Sequence, residues 1–173
     1  NYPHIEEAQL SGLFLNLGIQ IFFSRDRDGY AVLDVIPWSS PVQCQFEQTR
    51  YGLDHLQLAD ALIGQWQLDS FLADSILFLH ADILQVEQSS PLLKVARLAN
   101  SFSQSVGVLS EETYQLADHL FGLNQSEVEY LFDWTQGLYP DSVELLGHGE
   151  KLGYDFSSSI GRLTDLTFML ADK

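Results

Sequence analysis

The sequence predicts an all-α protein, an irregular compact bundle of about seven to nine helices. Three observations lead there. Apolar residues recur at helical spacing along most of the chain. Helix start and stop signals fall at the ends of those periodic stretches. Strand-like alternation survives nowhere beyond a few residues, and Val32 to Ile36 is the best strand candidate. An apolar content of 46%, with 12% aromatics, supplies ample material for a core in 173 residues.

Residues 5–23 read as one helix, apolar around most of its circumference through Leu10, Leu13, Phe14, Leu15, Leu17, Ile19, Ile21, Phe22 and Phe23. That profile belongs to a centrally buried helix. The run Arg25-Asp26-Arg27-Asp28-Gly29 closes it in a polar turn. Pro37 and Pro41 bracket a short connection, and Pro41 suits the first turn of the next helix. That helix runs to about Tyr51, with Gly52 as its terminating glycine. Asp54 and Gln57 have the spacing of a capping box. Leu58, Leu62 and Trp66 then form one expected buried stripe.

Asp69 or Ser70 opens a further helix whose apolar residues are Phe71, Leu72, Ile76 and Leu79. Ser90-Pro91 starts another, through Leu92, Val95, Leu98 and Ala99 to Gly107. Ser110 is an N-cap followed by the first-turn acids Glu111 and Glu112, and this helix ends near Gly122. Asn124 with Glu127 repeats the capping-box spacing before Val128, Leu131, Phe132 and Leu138. Residues 147–161 read as a Gly- and Ser-rich loop. Residues 160–171 regain apolar character, as expected of a last helix docking on the body or on a second copy in a homodimer.

Eight basic against twenty-four acidic residues give a formal charge of −16. Such a surface repels phosphate backbones and anionic lipid, so direct nucleic-acid or membrane-surface binding is not expected. No apolar run approaches the ~18 residues of a transmembrane helix, and no signal peptide is visible. The sequence starts at Asn1 and its single Met is Met169, the expected look of a piece of a longer chain. The single cysteine, Cys44, leaves no internal disulfide and fits a reducing cytoplasm. Only Arg50 stands near it as a cation, so Cys44 reads as an unreactive thiol.

No constellation of catalytic type emerges. Gly147-His148-Gly149-Glu150-Lys151 lacks the strand and the terminal Ser or Thr of a phosphate loop. Glu111-Glu112 and Glu127 with Glu129 read as solvated helix starts. His4, His119 and His148 have no metal-ligand spacing. Tyr130, Phe132, Trp134 and Tyr139 crowd together, as core or as a partner interface.

Five landmarks recur in a fixed order: Leu10-Ser11-Gly12-Leu13-Phe14-Leu15-Asn16-Leu17-Gly18, then Gly52-Leu53-Asp54-His55, then Trp66, then Leu79-His80, then Leu98-Ala99-Asn100. Their succession resembles the HDOD family, non-catalytic relatives of HD phosphohydrolases found in bacterial signalling proteins. The resemblance covers about residues 5–107 and implies the C-terminal part of an HDOD-like domain. Residues 108–146 would be a helical extension and 147–173 a loop and terminal helix.

An HD enzyme would carry its His-Asp pair at positions 15 and 16 and a later Asp at 100. Here these are Leu15, Asn16 and Asn100. Two neutral imidazoles, His55 and His80, do not make a catalytic metal site. The resemblance therefore implies a vestigial pocket of Leu15, Asn16, His55, His80 and Asn100, with no catalytic residue, no metal and no cofactor. On the residues alone, His55 and His80 would cap helix ends or satisfy buried polar groups, His80 as an imidazolium at a helix C-terminus. The implied function is regulatory, in a response-regulator-type protein with a protein partner or fused signalling domain. A degenerate phosphohydrolase and a small-ligand sensor are the alternatives.

Overall fold

A computed structural model describes residues 4–31, 33, 39–68, 70–105 and 107–146, with side chains to Thr135. Among these residues the chain is helical and contains no strand. In order the elements are α1 (Ile5–Leu15), α2 (Leu17–Arg25), α3 (Arg27–Ala31), α4 (Pro41–Tyr51), α5 (His55–Gln65), α6 (Ser70–Leu77), α7 (Ile83–Glu87), α8 (Pro91–Ser103), α9 (Glu111–Phe121) and α10 (Gln125–Leu146). The expected all-α bundle is what the protein forms. The strand candidate Val32–Ile36 lies outside the described residues except for Leu33, which sits in a turn. The segment 147–173 lies outside them altogether.

The cap signals fix most element ends as expected, although α8 stops at Ser103, short of Gly107, and Arg27–Ala31 is a short helix where a polar turn was expected. Ser40 accepts from the Gln43 amide with Pro41 in the first turn, and Gly52 ends α4 with φ +82°. Asp54 and Gln57 complete a capping box on α5. Ser90, Ser110 and the Asn124–Glu127 pair cap α8, α9 and α10, and Gly122 ends α9 with φ +65°.

Three further expectations need correcting. The single helix over 5–23 breaks at Asn16, which turns the chain between α1 and α2. Within α1 the buried face, packed on α6 and α8, is Ala8, Ser11, Gly12 and Leu15, so Leu10 and Leu13 are exposed. On α5 the buried stripe is Leu56, Ala59 and Ile63, not Leu58, Leu62 and Trp66. Trp66, 50% exposed, lies at the helix end with its ring against Phe14. Phe71, expected in the buried face of α6, is also exposed, whereas Leu72, Ile76 and Leu79 are buried.

Two helices organise the interior. Helix α5 packs on α1, α2, α4 and α6; α8 packs on α1, α6, α7 and α9. The main core joins Leu15, Leu56, Ile63, Ile76, Leu79, Leu98 and Phe102 to Leu116, Val128, Leu131 and Phe132. The helices after residue 107 thus share one core with those before it. A buried hydrogen bond of 2.9 Å between Ser11 and Ser75 fixes α1 against α6. A second core of Ile19, Phe22, Tyr30 and Leu33 lies where α2 and α3 meet α4, with Phe22 stacked on Tyr51. Asp26 ties this end together, accepting from the Gly29 amide, from Arg50 Nε at 2.7 Å and from the Tyr51 hydroxyl.

Among the described glycines, Gly18 makes the tightest backbone approach. A Cβ there would lie 2.1 Å from the His55 carbonyl oxygen, so α2 rests directly on the first turn of α5. This contact delivers His55 into the interior.

Candidate functional site, a buried polar cluster on α4 and α5

Helix α4 is inverted relative to an ordinary amphipathic helix. It buries Gln43 and Glu47, one turn apart, and exposes Val42. Burying a carboxylate is costly unless it is fully hydrogen-bonded, and Glu47, 0% exposed, is. Its Oε2 accepts from the His55 backbone amide at 2.7 Å and from His55 Nδ1 at 2.6 Å. Its Oε1 accepts from Gln43 Nε2 at 2.9 Å and from the Tyr30 hydroxyl in a short contact. Because a carboxylate can only accept, His55 Nδ1 carries the proton of this pair.

Burial pushes the Glu47 carboxyl upward, but the His55 bonds and charge interaction outweigh it, so it stays below the usual range. Tyr30 is driven upward by burial and then by Glu47.

The other edge of His55 faces Ser39, whose Oγ lies 3.2 Å from Nε2. Ser39 has φ +53°, a left-handed conformation unusual for a side-chain-bearing residue. Its amide donates to Gln43 Oε1 and its carbonyl accepts from Gln104. Cys44 Sγ sits 3.9 Å from His55 Nδ1. Burial, then the charges of Asp54 and Glu47, push its thiol up to about 12, in keeping with an unreactive cysteine.

His80 follows α6 and is mostly buried. Arg97 of α8 donates to the Leu79 carbonyl at 2.8 Å and contacts His80 Nδ1 at 3.0 Å. Since a guanidinium only donates, His80 Nδ1 accepts and the ring proton sits on Nε2. That Nε2 is buried and makes no hydrogen bond of normal geometry among the described residues, with only a weak interaction with the Ser39 backbone.

Burial, then the charges of Arg97 and His55, push His80 down to about 4. It is therefore neutral at pH 7, which corrects its expected role as an imidazolium on a helix dipole. The ordinary value is 6.5, so between pH 6.5 and about 4 the unfolded chain takes up a proton that the folded chain refuses. Stability is then full above pH 6.5 and declines as pH falls toward 4, by roughly 3 kcal/mol across the window. Urea titrations at stepped pH in chelating buffer should trace that decline, and His80→Gln should flatten it.

The five residues expected to form one pocket take different places. Leu15 is wholly buried in the main core. Asn16 holds the α1–α2 turn. His55 and His80 come together, and Cys44 joins them: ligand-type atoms of all three lie within 4.8 Å of one another. Asn100, 2% exposed and with no partner for its Oδ1 among the described residues, lines a polar groove of about 280 Å³ with Arg97, Gln104, Ser105, Glu112 and Thr113. Arg97 borders both the groove and His80.

The sequence reading missed Glu47, Gln43 and Tyr30, and passed over Cys44 as a ligand. The available signal was the i, i+4 spacing of Gln43 and Glu47 on a helix with few apolar residues to bury. Of the C-terminal aromatics only Phe132 is core; Tyr130 and Trp134 are exposed, and the Tyr139 side chain lies outside the description. His119 pairs with Glu87 and His4 with Glu7 on the surface. No described helix is long and apolar enough to cross a membrane. Set against protein-family models, curated proteins and solved structures, the chain has no significant match in any of the three.

Proposed function

We propose that the chain is a non-catalytic regulatory module of the HDOD type. It acts in a bacterial signalling protein, in the cytoplasm, by contact with a protein partner, a fused signalling domain or a second copy of itself. The observation that carries this reading is the closed polar centre. Glu47 and His55 are both wholly buried, and the carboxylate's bonding capacity is spent on His55, Tyr30 and Gln43, while His55 Nε2 faces Ser39. A hydrolytic centre needs groups that face a substrate. Leu15 at the dyad position adds apolar packing instead of a ligand.

Exposed apolar side chains supply a means of contact. Leu10 and Leu13 on α1 and Trp66 at the end of α5 stand on helices that pack together, and Trp66 touches Phe14 between them. Large apolar and aromatic groups on a surface mark contact sites.

Incubated with a generic phosphodiester and manganese, iron or zinc, the protein is expected to show no turnover above the metal alone. Metal-dependent turnover that disappears in His55→Ala would sink the reading in favour of a degenerate phosphohydrolase. In the intact signalling protein, Leu13→Asp with Trp66→Asp should leave helicity unchanged and abolish the output.

A further inference from the structure

We propose that Cys44, His55 and His80 form a binding site for a single thiophilic metal ion, zinc(II) by the character of its ligands. His55 and His80 belong to the pocket expected from the resemblance, but Cys44 lies outside it and positions 15, 16 and 100 take no part. Cys44 comes from α4, His55 from the first turn of α5 and His80 from the segment after α6. Their ligand-type atoms lie within 4.8 Å of one another. Zinc bonds of about 2.0–2.3 Å place tetrahedral ligands roughly 3.3–3.8 Å apart, so a contraction of about an ångström closes the set.

Three further features support the assignment. One thiolate with two imidazoles is a donor set that zinc prefers. His55 already donates Nδ1–H to a buried carboxylate, Glu47, which is the outer-sphere arrangement that orients a metal-binding histidine and leaves Nε2 as the ligand, so Cys44 Sγ, now 3.9 Å from Nδ1, has to swing toward Nε2. His80 Nε2, buried and without a hydrogen bond of normal geometry among the described residues, is a polar atom of the kind that calls for an explanation.

A zinc ion brings +2, the Cys44 thiolate and the Glu47 carboxylate bring −1 each, and neutral imidazoles add nothing, so these groups sum to zero beside the Arg97 guanidinium that contacts His80 Nδ1. Binding releases the Cys44 thiol proton, and with it the Nε2 proton of His55 wherever the pairing with Glu47 holds that ring as an imidazolium. In His80 the ring proton moves from Nε2 to Nδ1, and Arg97 gives up Nδ1 while keeping the Leu79 carbonyl. The Ser39 hydroxyl, now against His55 Nε2, turns aside or takes the fourth position.

Cobalt(II) titration of the chelator-stripped protein tests the site. One equivalent is expected to bind with tetrahedral visible bands and a near-ultraviolet thiolate-to-cobalt charge-transfer band, and zinc should bleach both. Cys44→Ser should lose the charge-transfer band, His80→Gln should lose saturable binding, and the surface variant His119→Ala should match the wild type. Glu47→Gln should weaken binding by roughly 10–100-fold.

The wild-type spectrum decides the matter even where a variant folds poorly. Absence of a charge-transfer band, or binding indifferent to Cys44→Ser and His80→Gln, overturns the site. Metal binding without turnover leaves the regulatory reading standing. Metal-dependent turnover removes that reading and keeps the site.

Discussion

Replacing Glu47 with alanine is expected to cost about 3–5 kcal/mol of folding stability, the scale of leaving a buried, hydrogen-bonded cluster without its charged member. The loss has a specific origin. The carboxylate is the shared acceptor for the His55 amide, His55 Nδ1, Gln43 Nε2 and the Tyr30 hydroxyl. Removing it strips all four donors of that acceptor in the buried interior, and each buried donor left unmade is penalised more than the bond was worth.

Glu47→Gln should retain part of the stability, because the amide oxygen still accepts, while its NH2 group meets further donors. A double-mutant cycle with His55→Ala separates the pair from the rest. The double variant should lose less than the sum of the two single losses, because the second change no longer leaves a partner stranded. Additive losses in urea denaturation would mean that Glu47 and His55 act independently, contrary to the geometry. A domain of this size has only about 5–15 kcal/mol in hand, so Glu47→Ala should also lower the yield of folded protein.

Gly18→Ala is the second large effect, expected at about 3 kcal/mol, the upper end for overpacking a well-filled interior. The added methyl group would meet the His55 carbonyl oxygen at 2.1 Å and the His55 Cα at 2.8 Å. Both are backbone atoms in the first turn of a capped helix, so no side-chain rotation relieves the clash. Helix α2 has to move away from α5, opening the second core around Ile19 and Phe22 and shifting His55 relative to Glu47. Gly64→Ala is the matched control: it stands on an open helix surface with nothing within 4 Å, and there alanine should be neutral or favourable. A Gly18→Ala variant as stable as the parent by thermal unfolding would show that α2 and α5 are not in direct contact.

The two effects fall on residues of very different visibility in the sequence. Gly18 was legible as a landmark, but the contact it makes was not. Glycine inside an apolar run signals a close approach without naming the partner, which lies at His55, 37 positions on. Glu47 was invisible because acidic residues on helices are usually solvated, and nothing local marks one that will be enclosed. Cys44 gave no sign of histidine neighbours, since His55 and His80 reach it only through the packing of α4, α5 and α6. The Trp66 stripe was misread for a related reason. Periodicity gives the spacing of an apolar face, but neighbouring helices decide which of two overlapping faces is covered. Here α1, α2 and α6 cover Leu56, Ala59 and Ile63.

By itself the sequence determined the helical class, the ends of most helices and the acidic surface. Caps, terminating glycines and prolines act over three or four residues, and charge is additive, so these properties need no knowledge of what lies nearby in space. Only the tertiary structure decided the break at Asn16, the face each helix buries, the enclosure of Glu47 with His55 and the convergence of Cys44, His55 and His80. Those depend on contacts between residues far apart in the chain, where the cost of burying a charge is set by which partners arrive with it.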